Sequence, residues 1–335
     1  VIPATRWPRL IAGIGVAVAV AVLATGCGGD QPPDDLDTGQ APITAGTAPP
    51  ADGDDGSQPD DAGAGETQAA PRRVVALGEE FLLADLLLLG VTPVASTATV
   101  PEAGFQGLDA YDTSAIGILP SVEVNLEQLA ALQPEVVVTT AFGADQAGAD
   151  HLASLGELVV VPDGLDGDDQ LRFLAEHLGG SAAADAALAE LDAARAQLRR
   201  AVAEAPEPCV VSVATIYPGP SVAAWVDGRT AIPRAVVDAG CQLVPGAGEG
   251  APDRNGRLFL SPEQLDLLQA PRLVLLQSDT VEGELDAVDA LDADPLWQAL
   301  PAVAGDEVVV LDRLGYPGTP GQLRLVEDLV AVLAP

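Results

Sequence analysis

The sequence predicts an α/β fold of two Rossmann-like lobes joined by one long helix, and three observations carry that expectation. The first is an internal echo. Residues 119–140 read LPSVEVNLEQLAALQPEVVVTT and residues 260–279 read LSPEQLDLLQAPRLVLLQSD. Each opens on a capping residue, Asn125 or Ser261, with a glutamine three positions on where a capping box closes, Gln128 or Gln264. Each continues through leucines at helical spacing, meets a proline (Pro134, Pro271) and enters an apolar run suited to a parallel strand buried on both faces. The second observation is the alternation of short strands and helices on both sides of this echo, which calls for parallel sheets covered on both faces. The third is the stretch 181–205, which has no glycine or proline and is rich in Ala, Leu, Arg and Glu. As a helix of about 24 residues it would be roughly 36 Å long, enough to cross from one lobe to the other.

In order, the first lobe (71–180) starts with a strand at 73–77 and a helix at 79–89 that ends at Gly90. A second strand is expected at 92–96, then a loop-like region at 111–118, then the first copy of the echo. A helix at 144–155, a strand at 158–161 and a helix at 169–178 complete the lobe. The connecting helix (181–205) follows, and Pro206 and Pro208 mark its end. The second lobe (206–335) resumes with a strand at 210–214, a helix at 231–239, a short strand at 242–244 and the second copy of the echo. A short helix at 295–300, a strand at 307–311 and a closing helix at 322–333 finish the chain.

The 335 residues leave room for about two domains. Hydrophobic residues make up 48%, aromatics only 3%, and methionine is absent, so leucine, valine and alanine must fill the interior. Fifty acids against 15 bases give a formal charge of -35. That argues against nucleic acid, whose phosphates need a basic surface. Residues 1–26 read as a secretion signal: Arg6 and Arg9 precede an apolar stretch at 10–24, about as long as a signal core and short for a membrane span. The stretch ends in Leu23-Ala24-Thr25-Gly26-Cys27, which resembles a bacterial lipobox, so Cys27 is the expected lipidation site. Residues 27–70 then form an acidic linker without aromatics, too poor in apolar surface to fold and self-repelling, as a tether should be.

With these pieces in place the chain resembles the substrate-binding lipoproteins of ABC importers for iron-siderophores and cobalamin. The resemblance runs from Arg72 to Pro335. It rests on the opening strand with Gly90-Val91-Thr92-Pro93-Val94, on Asn125-Leu126-Glu127 with Gln133-Pro134, on Ser261-Pro262-Glu263-Gln264-Leu265, and on Trp297-Gln298-Ala299-Leu300-Pro301-Ala302-Val303. It implies a ligand cleft between the lobes, a ferric siderophore as cargo with cobalamin or haem as alternatives, and a monomer anchored by lipid that serves a permease dimer. It also implies a role for Glu127 and Glu263. Each occupies the first turn of its helix, where the dipole alone favours an acid; in the family, one glutamate on each lobe docks onto permease arginines. A sensory or scaffolding lipoprotein that kept the fold and lost transport is the alternative from another class.

The chemistry of an enzyme is not legible. No nucleophile elbow or phosphate loop is present, and His151 and His177, the two histidines, are too far apart in sequence for a metal motif. No catalytic residue, metal site or covalent cofactor beyond the lipid is expected. Open α/β sheets bind ligands in the loops after their strands. The candidates there are Phe81 and Phe142 in the first lobe, with Glu79, Glu80 and Thr140 nearby, and Tyr217, Trp225, Arg229, Arg254, Arg257, Arg313 and Tyr316 in the second. Aromatics would pack on a chelate, and arginines would pair with its oxygens. Cys209 and Cys241 each begin a predicted strand of the second lobe. Export permits a disulfide between them, and two small buried thiols are the other reading.

Overall fold

A computed structural model describes residues 9–10, 72–122, 124–219 and 221–334. The expected signal segment, Cys27 and the expected acidic linker lie outside the described residues, apart from a two-residue strand, β1 (Arg9–Leu10), that runs parallel to the last strand.

The first lobe is a five-stranded, all-parallel sheet. Its strands are β2 (Val74–Leu77), β3 (Ala95–Ala98), β4 (Gly117–Pro120), β5 (Val136–Thr140) and β6 (Glu157–Val161), in the order β4-β3-β2-β5-β6. The helices are α1 (Glu79–Leu88), α2 (Leu126–Ala131), α3 (Ala141–Ala147), α4 (Ala149–Ala153) and α5 (Gly167–Leu178). Side chains alternate across the sheet. Val74, Ala76, Val136 and Val138 join one core with α1 and α5, whereas Val75, Leu77 and Val137 join the opposite core with Leu129 and Leu152. A central strand covered on both faces is apolar throughout, which is why VVV reads as a run and not as an alternation. The expected helix at 144–155 is two helices. Gly148 breaks it at φ 83, a left-handed conformation that glycine adopts without strain. The strand expected at 92–96 lies at 95–98, and the region taken as loop supplies the edge strand β4.

Helix α6 (Ser181–Glu204) then spans 24 residues, as the uninterrupted sequence predicts. The second lobe carries β7 (Val210–Tyr217), β8 (Ser221–Trp225), β9 (Gln242–Leu243), β10 (Arg257–Leu260), β11 (Arg272–Gln277) and β12 (Val308–Asp312). With β1 they form a seven-stranded sheet, β1-β12-β11-β7-β8-β10, with β9 also against β7. Its helices are α7 (Ala231–Asp238), α8 (Glu284–Asp292), α9 (Pro295–Gln298), α10 (Pro301–Ala304) and α11 (Gly318–Leu333). Strands β8 and β10 are antiparallel additions that the sequence reading missed, as it missed α8. Val222, Ala223 and Ala224 of β8 are all buried, so no period of two marks that strand. The second copy of the echo differs from the first: Pro262–Leu267 is a 3-10 helix, where Leu126–Ala131 is α-helical.

Cys209 and Cys241 form a disulfide with their Cα atoms 4.7 Å apart, where β7 and β9 begin side by side.

Helix α11 packs on α6 and reaches α1 of the first lobe. Asp85 of α1, fully buried, accepts the Thr319 N–H of α11 at 2.7 Å and a hydrogen bond from Gln170 of α5 at 2.9 Å. It thereby satisfies one of the orphan donors at the start of α11, which has no side-chain cap of its own. Gly318 allows this approach: at φ 57, a Cβ there would meet Ala84 and the Asp85 carboxylate at under 3 Å.

Candidate functional site

The antiparallel β8–β10 pair builds the most chemically specific surface of the second lobe. Its register sets Arg257 opposite Trp225 and Phe259 opposite Ala223. Leu258 and Leu260 turn inward and are buried, so Arg257 and Phe259 face the other way. Tyr217 ends the neighbouring strand β7, paired with Ser221.

Arg257 is the hub. Its Nη1 donates to the Tyr217 hydroxyl at 3.0 Å, and its Nε and Nη2 reach Asp253 Oδ2 at 2.8 and 2.7 Å. The guanidinium carbon lies 5.4 Å from the Phe259 ring centroid and 6.0 Å from those of Tyr217 and Trp225, within cation–π range of all three. The Tyr217 and Phe259 rings are 5.9 Å apart. Trp225 is fixed by its indole N–H, which donates to Thr215 at 2.9 Å. Partial burial alone would lower the pKa of Arg257, but hydrogen bonds to Asp253 and Tyr217 prevail and hold it above its ordinary value. Asp253 moves the other way. Desolvation pushes it up, and hydrogen bonds from the Arg257 backbone and side chain and from the Asn255 N–H bring it below the usual carboxylate range.

The other second-lobe arginines are arranged differently. Arg229 pairs with Asp227 at 3.0 Å, is exposed, and donates to the backbone oxygen of Arg254 at 3.4 Å. Arg254 is exposed on a different loop, the one that leads into β10. Two candidates move out of the site. Tyr316 is buried, packs in the core against α6 and α11, and gives its hydroxyl to Asp328 at 2.8 Å. Burial and the Asp328 charge raise its pKa. Its position after β12 made it a candidate, but the hydroxyl serves α11 instead. Arg313 is buried in an ion pair with Glu284, donating through Nε at 3.0 Å and through Nη2. Its guanidinium carbon lies 5.8 Å from the Tyr217 ring centroid.

In the first lobe, Phe81 and Phe142 sit on the first turns of α1 and α3, just after β2 and β5, and both are exposed, Phe142 at 62%. Thr140 caps α3, accepting the Gly143 N–H at 3.0 Å. Glu79 adopts φ 57, in the left-handed region that is uncommon outside glycine, and its N–H donates to Thr97 at 2.8 Å. Its pKa is raised by burial and by the neighbouring charge of Glu80. Glu80 is itself buried against Thr99, whose hydroxyl donates to it at 2.5 Å. The structure therefore brings Tyr217, Trp225 and Arg257 together, sets Arg229 and Arg254 side by side, and leaves Phe81 and Phe142 on separate turns of the first lobe. Phe259 was missed. The alternation Arg-Leu-Phe-Leu at 257–260 was the signal that could have found it.

Glu127 and Glu263 are both exposed in the first turns of their helices. Asn125 caps the first, accepting the Glu127 and Gln128 N–H groups at 2.9 and 3.0 Å. At the second, the Gln264 side chain accepts the Ser261 N–H at 3.1 Å. His177 stacks on Phe173 with ring centroids 4.1 Å apart, its Nδ1 2.8 Å from the Phe173 carbonyl oxygen, and His151 is exposed. Among the described residues no cluster of His, Cys, Asp and Glu could hold a metal ion, and no helix is long and apolar enough to cross a membrane.

Two α/β sheets bridged by one long helix, each lobe presenting aromatics beyond its strand ends, define a two-lobed binding-protein fold. The chain belongs to the periplasmic binding protein family, which matches residues 74–313. Members of that family are substrate-binding proteins, not enzymes. No curated protein matches the chain in sequence. Among solved structures it is similar to SirA of Staphylococcus aureus, at 20% identity, TM-score 0.64, covering 78% of this chain and 98% of that one. It is similar to the triscatecholate siderophore-binding protein FeuA of Bacillus subtilis complexed with ferri-bacillibactin, at 16% identity and TM-score 0.65, covering 79% and 93%. The siderophore-binding protein FhuD of Vibrio cholerae, solved with Fe3+–Desferal, matches at 21% identity and TM-score 0.62, covering 79% and 100%.

Proposed function

We propose that the protein is an extracytoplasmic solute-binding lipoprotein that carries a ferric siderophore to an ABC import permease. The observation that carries this reading is the Arg257 hub: a guanidinium held among Tyr217, Trp225 and Phe259 at the solvent-facing side of the second lobe. Such a surface offers ring faces to a bulky chelate and donors to its oxygens. Phe81 and Phe142 contribute from the first lobe, and Arg229 and Arg254 stand beside the hub on two neighbouring loops. Family membership and siderophore-binding structural neighbours support the same reading. Cys27 carries the lipid, the acidic residues that follow serve as tether, and Glu127 and Glu263 present one carboxylate per lobe to the permease. The protein works as a monomer and needs no covalent cofactor beyond its lipid.

Mass spectrometry of ligand co-purified with the protein from iron-starved cells tests the cargo. A ferric chelate is the expected result. A corrinoid or haem would transfer the protein to another cargo class.

A further inference from the structure

Iron chelates of similar size differ sharply in charge, and the arrangement of charges around the aromatic hub bears on which one fits. Three hydroxamates cancel the ferric charge and leave a neutral complex, whereas three catecholates overshoot it and leave a trianion. A site for a trianion needs cations whose charge is still available.

The arginines around this hub are largely spent. Arg257 gives Nε and Nη2 to Asp253, Arg229 is paired with Asp227 at 3.0 Å, and Arg313 near Tyr217 is paired with buried Glu284. Among the described residues only Arg254 of this group has no carboxylate at ion-pair distance, and it is exposed, where solvent screens it. The rest of the surface offers no compensation, since the acids far outnumber the arginines along the whole chain and its net field repels anions before contact. What the hub does supply is ring surface and a few fixed donors, the endowment that suits an apolar, charge-balanced ligand.

We infer that, within the siderophore reading above on which this rests, the cargo is a neutral or singly charged ferric chelate of the tris-hydroxamate kind, selected against trianionic tris-catecholates by carboxylates that already occupy the site's arginines. Asp253 is the specificity-determining group. A trianion would either break its pair with Arg257, leaving a carboxylate beside the ligand, or bind next to the intact pair without gaining its charge. Either way like charges are set side by side, which an interface pays for heavily.

The test compares two probes on the mature protein by tryptophan fluorescence titration: ferrichrome, a neutral ferric tris-hydroxamate, and ferri-bacillibactin, a trianionic tris-catecholate. Ferrichrome should bind at least about tenfold more tightly, and the Asp253→Asn variant should narrow the ratio of the two dissociation constants by about tenfold, because it frees Arg257 while keeping an acceptor for the Arg257 and Asn255 N–H groups. Equal or tighter binding of ferri-bacillibactin, or an unchanged ratio in Asp253→Asn, overturns the inference and leaves the siderophore reading standing. Binding of neither chelate by folded protein overturns the inference, and the siderophore reading falls with it only if no ferric chelate of any class binds.

Discussion

At the scale of single residues, Arg257 decides most. Among the described residues it is the one arginine that touches three rings, a hydroxyl and a carboxylate together. Charge-assisted hydrogen bonds of this kind are worth about 1.5–3 kcal/mol, so Arg257→Ala should weaken binding of a ferric chelate by roughly ten- to a hundredfold. Lysine should restore little of it, because an ammonium cannot reproduce the planar fork. Phe259→Ala offers a cleaner reading. The ring is half exposed, so the melting temperature should hardly move while chelate affinity falls. Unchanged affinity in both variants would remove the hub from the binding site. Sequence reasoning singled out Tyr217 and Trp225 because aromatics are scarce and these flank a strand end, and it named Arg257 as a cation among the loops after the strands. It misplaced Tyr316 and Arg313 because their partners, Asp328 on α11 and Glu284 on α8, are set by tertiary packing. For Arg313, the partner's helix was itself not foreseen.

At the scale of elements, the start of α11 depends on a residue of another helix. Asp85 is buried and its pKa is raised to about 6, chiefly by desolvation, which the hydrogen bonds from Thr319 and Gln170 only partly offset; the charge of Asp168 adds a little. A carboxyl whose folded pKa exceeds its unfolded value binds its proton more tightly in the native state. Stability therefore falls as pH rises from about 4 to about 6, and the cost of the buried charge, on the order of 3 kcal/mol, is fully present above that window. Asp85→Asn should flatten this part of the profile, which urea midpoints at about pH 4.5 and 7 for the two proteins would reveal. Identical slopes would mean that Asp85 does not titrate there. The disulfide is the other constraint on an element. It closes a loop with a sequence separation of 32, and replacing both Cys209 and Cys241 by Ala should lower stability by about 2–4 kcal/mol, measured by denaturant unfolding. The sequence left open whether these cysteines are bridged or only buried, because only the pairing of β7 with β9 brings them together. The capped helices and apolar strands of the echo were legible because capping and burial are local or periodic. Strand β8 was not, since its buried Val222, Ala223 and Ala224 show no period of two, and β10 carried only the short alternation at 257–260.

At the scale of the whole molecule, Glu127 and Glu263 each lie exposed at the start of a helix, one in each lobe. Charge pairs between such residues and a permease would set register and speed encounter. Replacing both by Ala should leave fold and chelate affinity nearly unchanged while uptake of the chelate into cells falls sharply; normal uptake would reduce both to helix-start charges. Lipid anchoring is checked as directly, since Cys27→Ser should release the protein into the medium or leave an uncleaved precursor. The central claim, that the aromatic hub receives a ferric siderophore, is tested most directly by the emission of Trp225. Among the described residues the other tryptophan, Trp297, is fully buried in the second-lobe core. Titrating the mature protein with a panel of ferric siderophores, cobalamin and haem should give saturable quenching by at least one ferric chelate, and Trp225→Phe should remove most of it. Saturable quenching by cobalamin or haem alone, with none from any ferric chelate, would contradict the account.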